Sequence, residues 1–238
     1  MAPIVVKLGG SLNRDSLLRD WLQLLVASGG GNVVVVPGGG AFADEVRRHQ
    51  ALWAFDDLTA HNMAILAMMQ SAQLMKSLVE GLELATTPAD IARVLKGGAV
   101  AVWSPGEWIR DRPDDLTHWG ASSDSLAGWL AHRLGARALV LVKSCDIRGD
   151  LDLAAQADEG VVDAEFCRIT ANAGYAITLL GKHELTAMRT LLRSALLCPA
   201  LPRSAPLCPA LPCFCPALPC HVPLNAALAK QWSDADSR

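Results

Sequence analysis

The feature that most restricts what this chain can fold into is a plan that occurs twice near its start. A short apolar, β-branched run ends in a glycine-rich turn, and a helical pattern follows. The first copy is Ile4-Val5-Val6-Lys7-Leu8-Gly9-Gly10-Ser11, and the second is four consecutive valines, Val33 to Val36, closed by Pro37-Gly38-Gly39-Gly40. Valine runs without polar alternation read as strands buried on both faces of a parallel sheet. A strand, a helix and a second parallel strand connect right-handedly. Both glycine turns then lie at the carboxyl ends of neighbouring strands, where open α/β sheets bind ligands. Glycine there lets the backbone approach an anion, and Lys7 stands at its strand's end as a point charge. Ser11 suits the cap of the next helix. Taken alone, this is a phosphate site in outline or an ordinary strand, glycine turn and surface lysine.

The alternation continues. Residues 15–27 place Leu18, Trp21, Leu22 and Leu25 on a helical face that Gly29-Gly30-Gly31 stops. A helix is expected from Phe42, and residues 44–83 read as helical. Their stripe from Met63 through Met68 and Met75 to Leu78 is either core or a dimer face. Thr87-Pro88-Ala89-Asp90 opens a short helix. Strands are expected at residues 99–103, 138–142 and 175–180, a turn and helix at 161–166, and a closing helix at 183–197. Ser122 or Ser123 suits an N-cap, and Asp124 then falls in a first helical turn, where a capping charge is the plainer reading. Lys143-Ser144-Cys145-Asp146 follows a strand, as Lys7 ends one. The whole reads as α/β, a three-layer α/β/α sandwich with a mainly parallel sheet.

With 238 residues, 51% of them hydrophobic, the chain can bury a sizeable core, which is assigned to a domain at residues 1–197. A formal charge of -3 offers no basic field for nucleic acid. The apolar runs break before the ~20 residues of a membrane span, and the start lacks the order of a signal peptide. A cytoplasmic protein with a small-molecule partner is expected, with neither nucleic acid nor membrane. Of the seven cysteines, Cys145 and Cys167 lie in the body and the rest crowd into residues 198–238, where Cys-Pro-Ala-Leu-Pro recurs. Prolines this dense forbid helix and ladder, so that tail reads as irregular and low in complexity. Cys213, Cys215, Cys220 and His221 lack paired Cys-x-x-Cys spacing, and no metal site is assigned.

Three stretches, in this order, resemble the motifs of the amino acid kinase superfamily: Lys7-Leu8-Gly9-Gly10-Ser11, Val36-Pro37-Gly38-Gly39-Gly40-Ala41-Phe42-Ala43 and Ser122-Ser123-Asp124-Ser125-Leu126-Ala127. Its members include acetylglutamate kinase, aspartokinase, carbamate kinase and uridylate kinase. The likeness covers residues 4–196. It runs furthest toward the [5-(aminomethyl)furan-3-yl]methyl phosphate kinases of archaea and methylotrophic bacteria, in the run from Gly38 to Arg47, at Ala60-His61-Asn62-Met63-Ala64 and at Val162-Asp163. The resemblance implies the amino acid kinase fold and a kinase that uses ATP and Mg²⁺. Its acceptor would be a phosphomonoester or other small molecule with an acceptor oxygen; in the aminomethylfuran branch that is an intermediate of methanofuran biosynthesis. It also implies a homo-oligomer paired through a long helix.

By the same resemblance Lys7 contacts the transferring phosphoryl group, the amides of Gly9 and Gly10 hold the β- and γ-phosphates beside Ser11, and Gly38, Gly39 and Gly40 face the acceptor. Asp124 would orient catalytic lysines rather than merely cap a helix. Lys143-Ser144-Cys145-Asp146-Ile147 departs from the family's Thr-Asp-Val-Asp-Gly. Lys143 and Asp146 are nonetheless assigned to the nucleotide side, with Lys143 either a second phosphate cation or a surface residue. Lys182 is open to the late-lysine role of other branches. Asp56, Asp57, Asp111, Asp114 and Asp115 either assist the acceptor or form a solvated face. Two other functions stay open: an acyl-phosphate-forming kinase acting on a carboxylate or carbamate, and a non-catalytic nucleotide-binding storage or regulatory protein.

Overall fold

Six strands form one sheet in this computed structural model, which describes residues 2–110, 116–149 and 151–197. They are β1 (Ile4–Leu8), β2 (Val33–Pro37), β3 (Leu82–Ala85), β4 (Val100–Trp103), β5 (Ala138–Lys143) and β6 (Ala176–Gly181), in the order β3-β4-β2-β1-β5-β6. Every pairing is parallel. The sequence-expected tail at 198–238 and the residues Asp111, Asp114 and Asp115 lie outside the described residues.

Alternate residues of the central strands feed two cores, which is what makes three layers. Ile4, Val6 and Leu8 of β1, with Val33 and Val35 of β2, pack against Trp21 and Leu22 of α1 (Leu17–Gly29) and Met188 of α9 (Leu185–Leu197). Val5, Val34 and Val36 turn the other way. They meet Ile91 of α4 (Pro88–Lys96), Leu126 and Leu130 of α6 (Ser123–Arg133) and Phe166 of α8 (Ala164–Thr170). All four valines of β2 are fully buried. At about 1.5–3 kcal/mol for each such side chain, β1 and β2 are held firmly from both faces. The loops at their carboxyl ends therefore have fixed roots.

The expected helical stretch at 44–83 is in fact two helices and a strand: α2 (Gly40–Trp53), α3 (Asp57–Leu78) and β3. Ala54 takes a left-handed conformation (φ 52°) and closes α2 by donating to the Gln50 carbonyl. Asp56 then caps α3, accepting from the Thr59 amide at 2.8 Å. Gly81, at φ 90°, turns the chain into β3, a four-residue edge strand too short for periodicity to announce. Most of the methionine stripe faces the chain's own core, with Met68 and Met75 buried. The large apolar side chains left exposed are Phe42, Leu52 and Trp53 of α2 and Leu66 of α3. Two short helices, α5 (Gly106–Ile109) and α7 (Leu153–Asp158), complete the described elements.

Candidate active site

Strand parity brings the two strand-end lysines together. Lys7 pairs in register with Leu141, so Lys143, two residues farther along β5, projects from the same face of the sheet as Lys7. That face is covered by α6, whose Leu126 and Leu130 anchor it there. Ser122 caps α6 by accepting the Asp124 amide, and Asp124 in the first turn points down between the lysines. Its Oδ1 lies 2.7 Å from Lys7 Nζ and its Oδ2 lies 2.5 Å from Lys143 Nζ. The lysines have a carboxylate between them.

All three groups are largely out of water, Lys7 at 4% and Asp124 at 2% exposure. Burial alone raises the Asp124 carboxyl, but the charges of Lys7 and Lys143 outweigh it and hold the group below the usual carboxylate range. Lys143 is pushed below the ordinary lysine value, first by burial and then by the like charge of Lys7, with Asp124 opposing. Two cations around one anion leave a net positive charge at the carboxyl end of the sheet, which suits phosphate oxygens.

The glycine turns meet backbone to backbone. A Cβ on Gly10 would sit 2.2 Å from the Gly40 nitrogen, one on Gly38 2.3 Å from the Gly10 nitrogen, and one on Gly40 2.4 Å from the Gly10 oxygen. Gly40 also has φ 54°. Each loop is glycine because the other is there. The Gly9 amide is committed to the Val142 carbonyl at 3.1 Å and the Gly38 amide to the Leu8 carbonyl at 2.9 Å. The expectation that the Gly9 amide holds a phosphate therefore narrows to Gly10 and Ser11. Ser11 does not cap α1 but lies within a 3-10 turn, Gly10–Arg14, and Asp15 accepts the Leu17 amide instead.

Two clefts adjoin at the lysine–carboxylate cluster. The first, of about 460 Å³, is bordered by Lys7, Gly10, Gly40, Arg14, Arg47 and His61, among others. The second, of about 440 Å³, runs along Gly160, Val162 and Asp163. Both are lined by Trp119, Ser122, Asp124 and Lys143. Trp119 is held over the first cleft by the Arg47 guanidinium, 4.6 Å from its ring centroid, and by an indole N–H donated to Gln50 Oε1.

The structure thus gathers Lys7, Gly10, Ser11, Gly39, Gly40, Asp124 and Lys143 at one place. Gly9 and Gly38 stand behind it as packing glycines, and Asp57 lines the first cleft. Asp146, expected on the nucleotide side, is exposed and borders neither cleft. Asp56 is spent on capping α3. Lys182 is paired with Asp15 at 2.8 Å, away from both clefts. Sequence reasoning missed Arg14, which nothing distinguishes from any other surface arginine. Among the described residues no group of three metal-ligating side chains occurs, and no helix is long and apolar enough to cross a membrane.

The sequence profile of the amino acid kinase family matches residues 2–147, more than half of the chain, and the chain belongs to that family. No curated protein matches it. The fold is similar to uridylate kinase from Archaeoglobus fulgidus, with a TM-score of 0.61 and 17% identity over 81% of this chain and 96% of that one. It is also similar to UMP kinase from Ureaplasma parvum (TM-score 0.55, 13% identity, 76% and 89% covered). An isopentenyl phosphate kinase gives a TM-score of 0.53 at 16% identity, with 80% and 96% covered.

Proposed function

We propose, from membership of the amino acid kinase family, that the chain is an ATP-dependent kinase transferring the γ-phosphoryl group to a phosphomonoester, with a diphosphate as product. The observation that carries this reading is the double occupation of Asp124. With one lysine ammonium against each oxygen and its pKa held below the usual carboxylate range by them, that carboxylate is an organiser and a poor base. A hydroxyl acceptor requires a base. A phosphomonoester, with its second pKa near 6, presents an anionic oxygen unaided. Arg14 and Arg47 on the first cleft add the cations that a dianion calls for. The similar structures include kinases named for UMP and isopentenyl phosphate, both phosphomonoesters, which supports the same class.

In this reading the acceptor occupies the first cleft and the nucleotide approaches from the second. The acceptor oxygen forms a bond to the γ-phosphorus as the bond to the β–γ bridging oxygen breaks and ADP leaves. Lys7 meets the transferring group, Lys143 meets the phosphates on the nucleotide side, and Asp124 keeps both ammonium groups aimed. The amides of Gly10 and Ser11, with Gly39 and Gly40, form the cradle. Charge develops on peripheral oxygens in a loose transition state, so positioning and fixed positive charge supply the acceleration. Both oxygens of Asp124 and both of Asp163 are engaged, which fits Mg²⁺ carried on the nucleotide's own phosphates. When bound, it neutralises phosphate charge.

The finer acceptor we propose is [5-(aminomethyl)furan-3-yl]methyl phosphate, on the motif likeness at residues 38–47 and 60–64, of which Gly39, Gly40, Arg47 and His61 border the first cleft. A homo-oligomer is part of the proposal, to which the exposed Phe42, Leu52 and Trp53 of α2 and Leu66 of α3 would contribute apolar contacts. Light scattering that found only monomer would remove that part. A carboxylate acceptor, already anionic, calls for no base either, so acyl-phosphate formation is the second reading. Transfer from γ-labelled ATP to a panel of the furan phosphate, uridylate, isopentenyl phosphate, acetylglutamate and carbamate separates them. Label in a diphosphate is expected. A labelled product that hydroxylamine converts to a hydroxamate with release of labelled phosphate would favour the second reading, and ATP binding without transfer to any acceptor would favour a storage or regulatory protein.

A further inference from the structure

The end of α6 that carries Asp124 is fastened from behind by a single carboxylate. Asp163 caps α8, its Oδ1 accepting the Phe166 amide at 2.8 Å. One such bond is all that a cap requires. Yet Oδ2 also accepts the Ser122 amide at 2.9 Å, the Ser122 hydroxyl at 2.7 Å and the Ser125 amide at 3.1 Å, while the Ser125 hydroxyl donates to Oδ1. These four bonds come from the start of α6, 38 and 41 residues earlier in the chain. The Ser122 hydroxyl that donates to Asp163 accepts the Asp124 amide at 3.2 Å. Two hydrogen bonds therefore connect Asp163 to the residue clasped by the lysines.

This fastening is more than a staple between helices, because α6 and α8 are already joined elsewhere. Gly128 of α6 packs so closely on α8 that a Cβ there would lie 3.0 Å from Thr170 Cγ2, and beyond the end of α8 the Tyr175 hydroxyl donates to the Gly128 carbonyl at 2.9 Å. Losing the Asp163 bonds would free the first turn of α6 while leaving the helix in place. An ionised carboxylate accepts only, which matches five donors; an asparagine would turn N–H groups toward some of them.

We propose that Asp163 is the positioning residue of the site, setting through Ser122 where the Asp124 carboxylate stands between Lys7 and Lys143. Its effect on turnover rests on the kinase reading, whereas its effect on Asp124 does not. The charged groups that face Asp124 are Lys7 from β1 and Lys143 from β5, with Asp163 behind the helix end.

The test is a carboxyl ¹³C titration of Asp124 in the full chain, with kcat and acceptor KM measured beside it, for wild type, Asp163→Asn, Ser122→Ala and Ser122→Thr. A loosened clasp leaves burial to act, so the Asp124 midpoint should rise by about half a pH unit or more in Ser122→Ala; in Asp163→Asn the lost negative charge opposes that rise, and the variant is read by its turnover. In those two, kcat should fall ~10-fold or more from misplacement, with KM within about threefold. Ser122→Thr, which keeps the hydroxyl, should bring the Asp124 midpoint back toward wild type from its value in Ser122→Ala; a midpoint equal to that of Ser122→Ala would count against the hydroxyl link. An unchanged midpoint in folded Ser122→Ala would overturn the proposal, and that variant decides alone if Asp163→Asn does not fold. A wild type that transfers nothing would defeat the kinase reading, while the titration would still decide the role of Asp163.

Discussion

The two sides of the site are built by opposite means. On the β1–β2 side, backbone lies against backbone, and Gly10, Gly38 and Gly40 exclude one another's side chains. On the β5–α6 side, Lys143, Asp124, Ser122 and Asp163, with Lys7 reaching across from β1, are placed by hydrogen bonds and charge. The first construction is rigid and tolerates no addition. The second is adjustable, and depends on every member keeping its charge or hydroxyl.

The largest effect should come from the second side. Asp124→Asn leaves two buried ammonium groups facing each other, and breaking a buried pair costs about 3–5 kcal/mol of stability. Turnover should fall ~10³-fold, as when preorganised charge is removed from an active site. A variant as stable and as active as wild type in urea melts and transfer assays would mean that the clasp is ornamental. On the first side, Gly10→Ala must push two loops apart at the Gly40 backbone. It should cost about 3 kcal/mol, the upper end of overpacking, whereas Gly174→Ala, with nothing near its Cβ, should be neutral. Equal melting of the two variants would contradict the loop-against-loop account.

A smaller effect separates the sides by pH. Asp124 is held below its unfolded value, near 3.9 for an aspartate. The unfolded chain thus binds more protons as pH drops through that range. Asp124's contribution to stability is fully present above about pH 4 and is lost as pH falls through its depressed folded pKa. Acid melts of wild type should carry this slope and those of Asp124→Asn should lack it, while Gly10→Ala keeps it. An identical acid limb in all three would place the stabilising charge elsewhere. The smallest effect is expected from Lys182→Ala, where turnover should stay within about twofold because the half-buried Lys182–Asp15 pair lies outside both clefts. A large loss would restore Lys182 to the site.

The difference between the two sides also explains what was legible in the sequence. Unalternating valines and paired glycines have few other uses, so β1, β2 and their loops could be read directly, as could the capping box that opens α4 at Thr87 and Asp90. Glycines in such turns read as room for phosphate, yet for Gly10, Gly38 and Gly40 the nearest demand is a neighbouring loop, a tertiary contact that no local pattern carries. β3 was lost because Leu-Glu-Leu-Ala fits a helix as well as an edge strand. From spacing, Asp124 looked like a helix cap; only strand parity across β1 and β5 puts two lysines beneath it. Asp163 falls in a segment that reads only as a turn and helix, and its four bonds to α6 follow from the packing of α8 on α6.

The central claim is that phosphoryl transfer occurs at the Lys7–Asp124–Lys143 cluster. Its most direct test is the rate at which label passes from γ-labelled ATP to a phosphomonoester acceptor, measured for wild type and Lys7→Met side by side at a temperature where both are folded. The account predicts a labelled diphosphate from wild type and a loss of ~10³-fold or more in the variant. Transfer by Lys7→Met at a rate near wild type would contradict it.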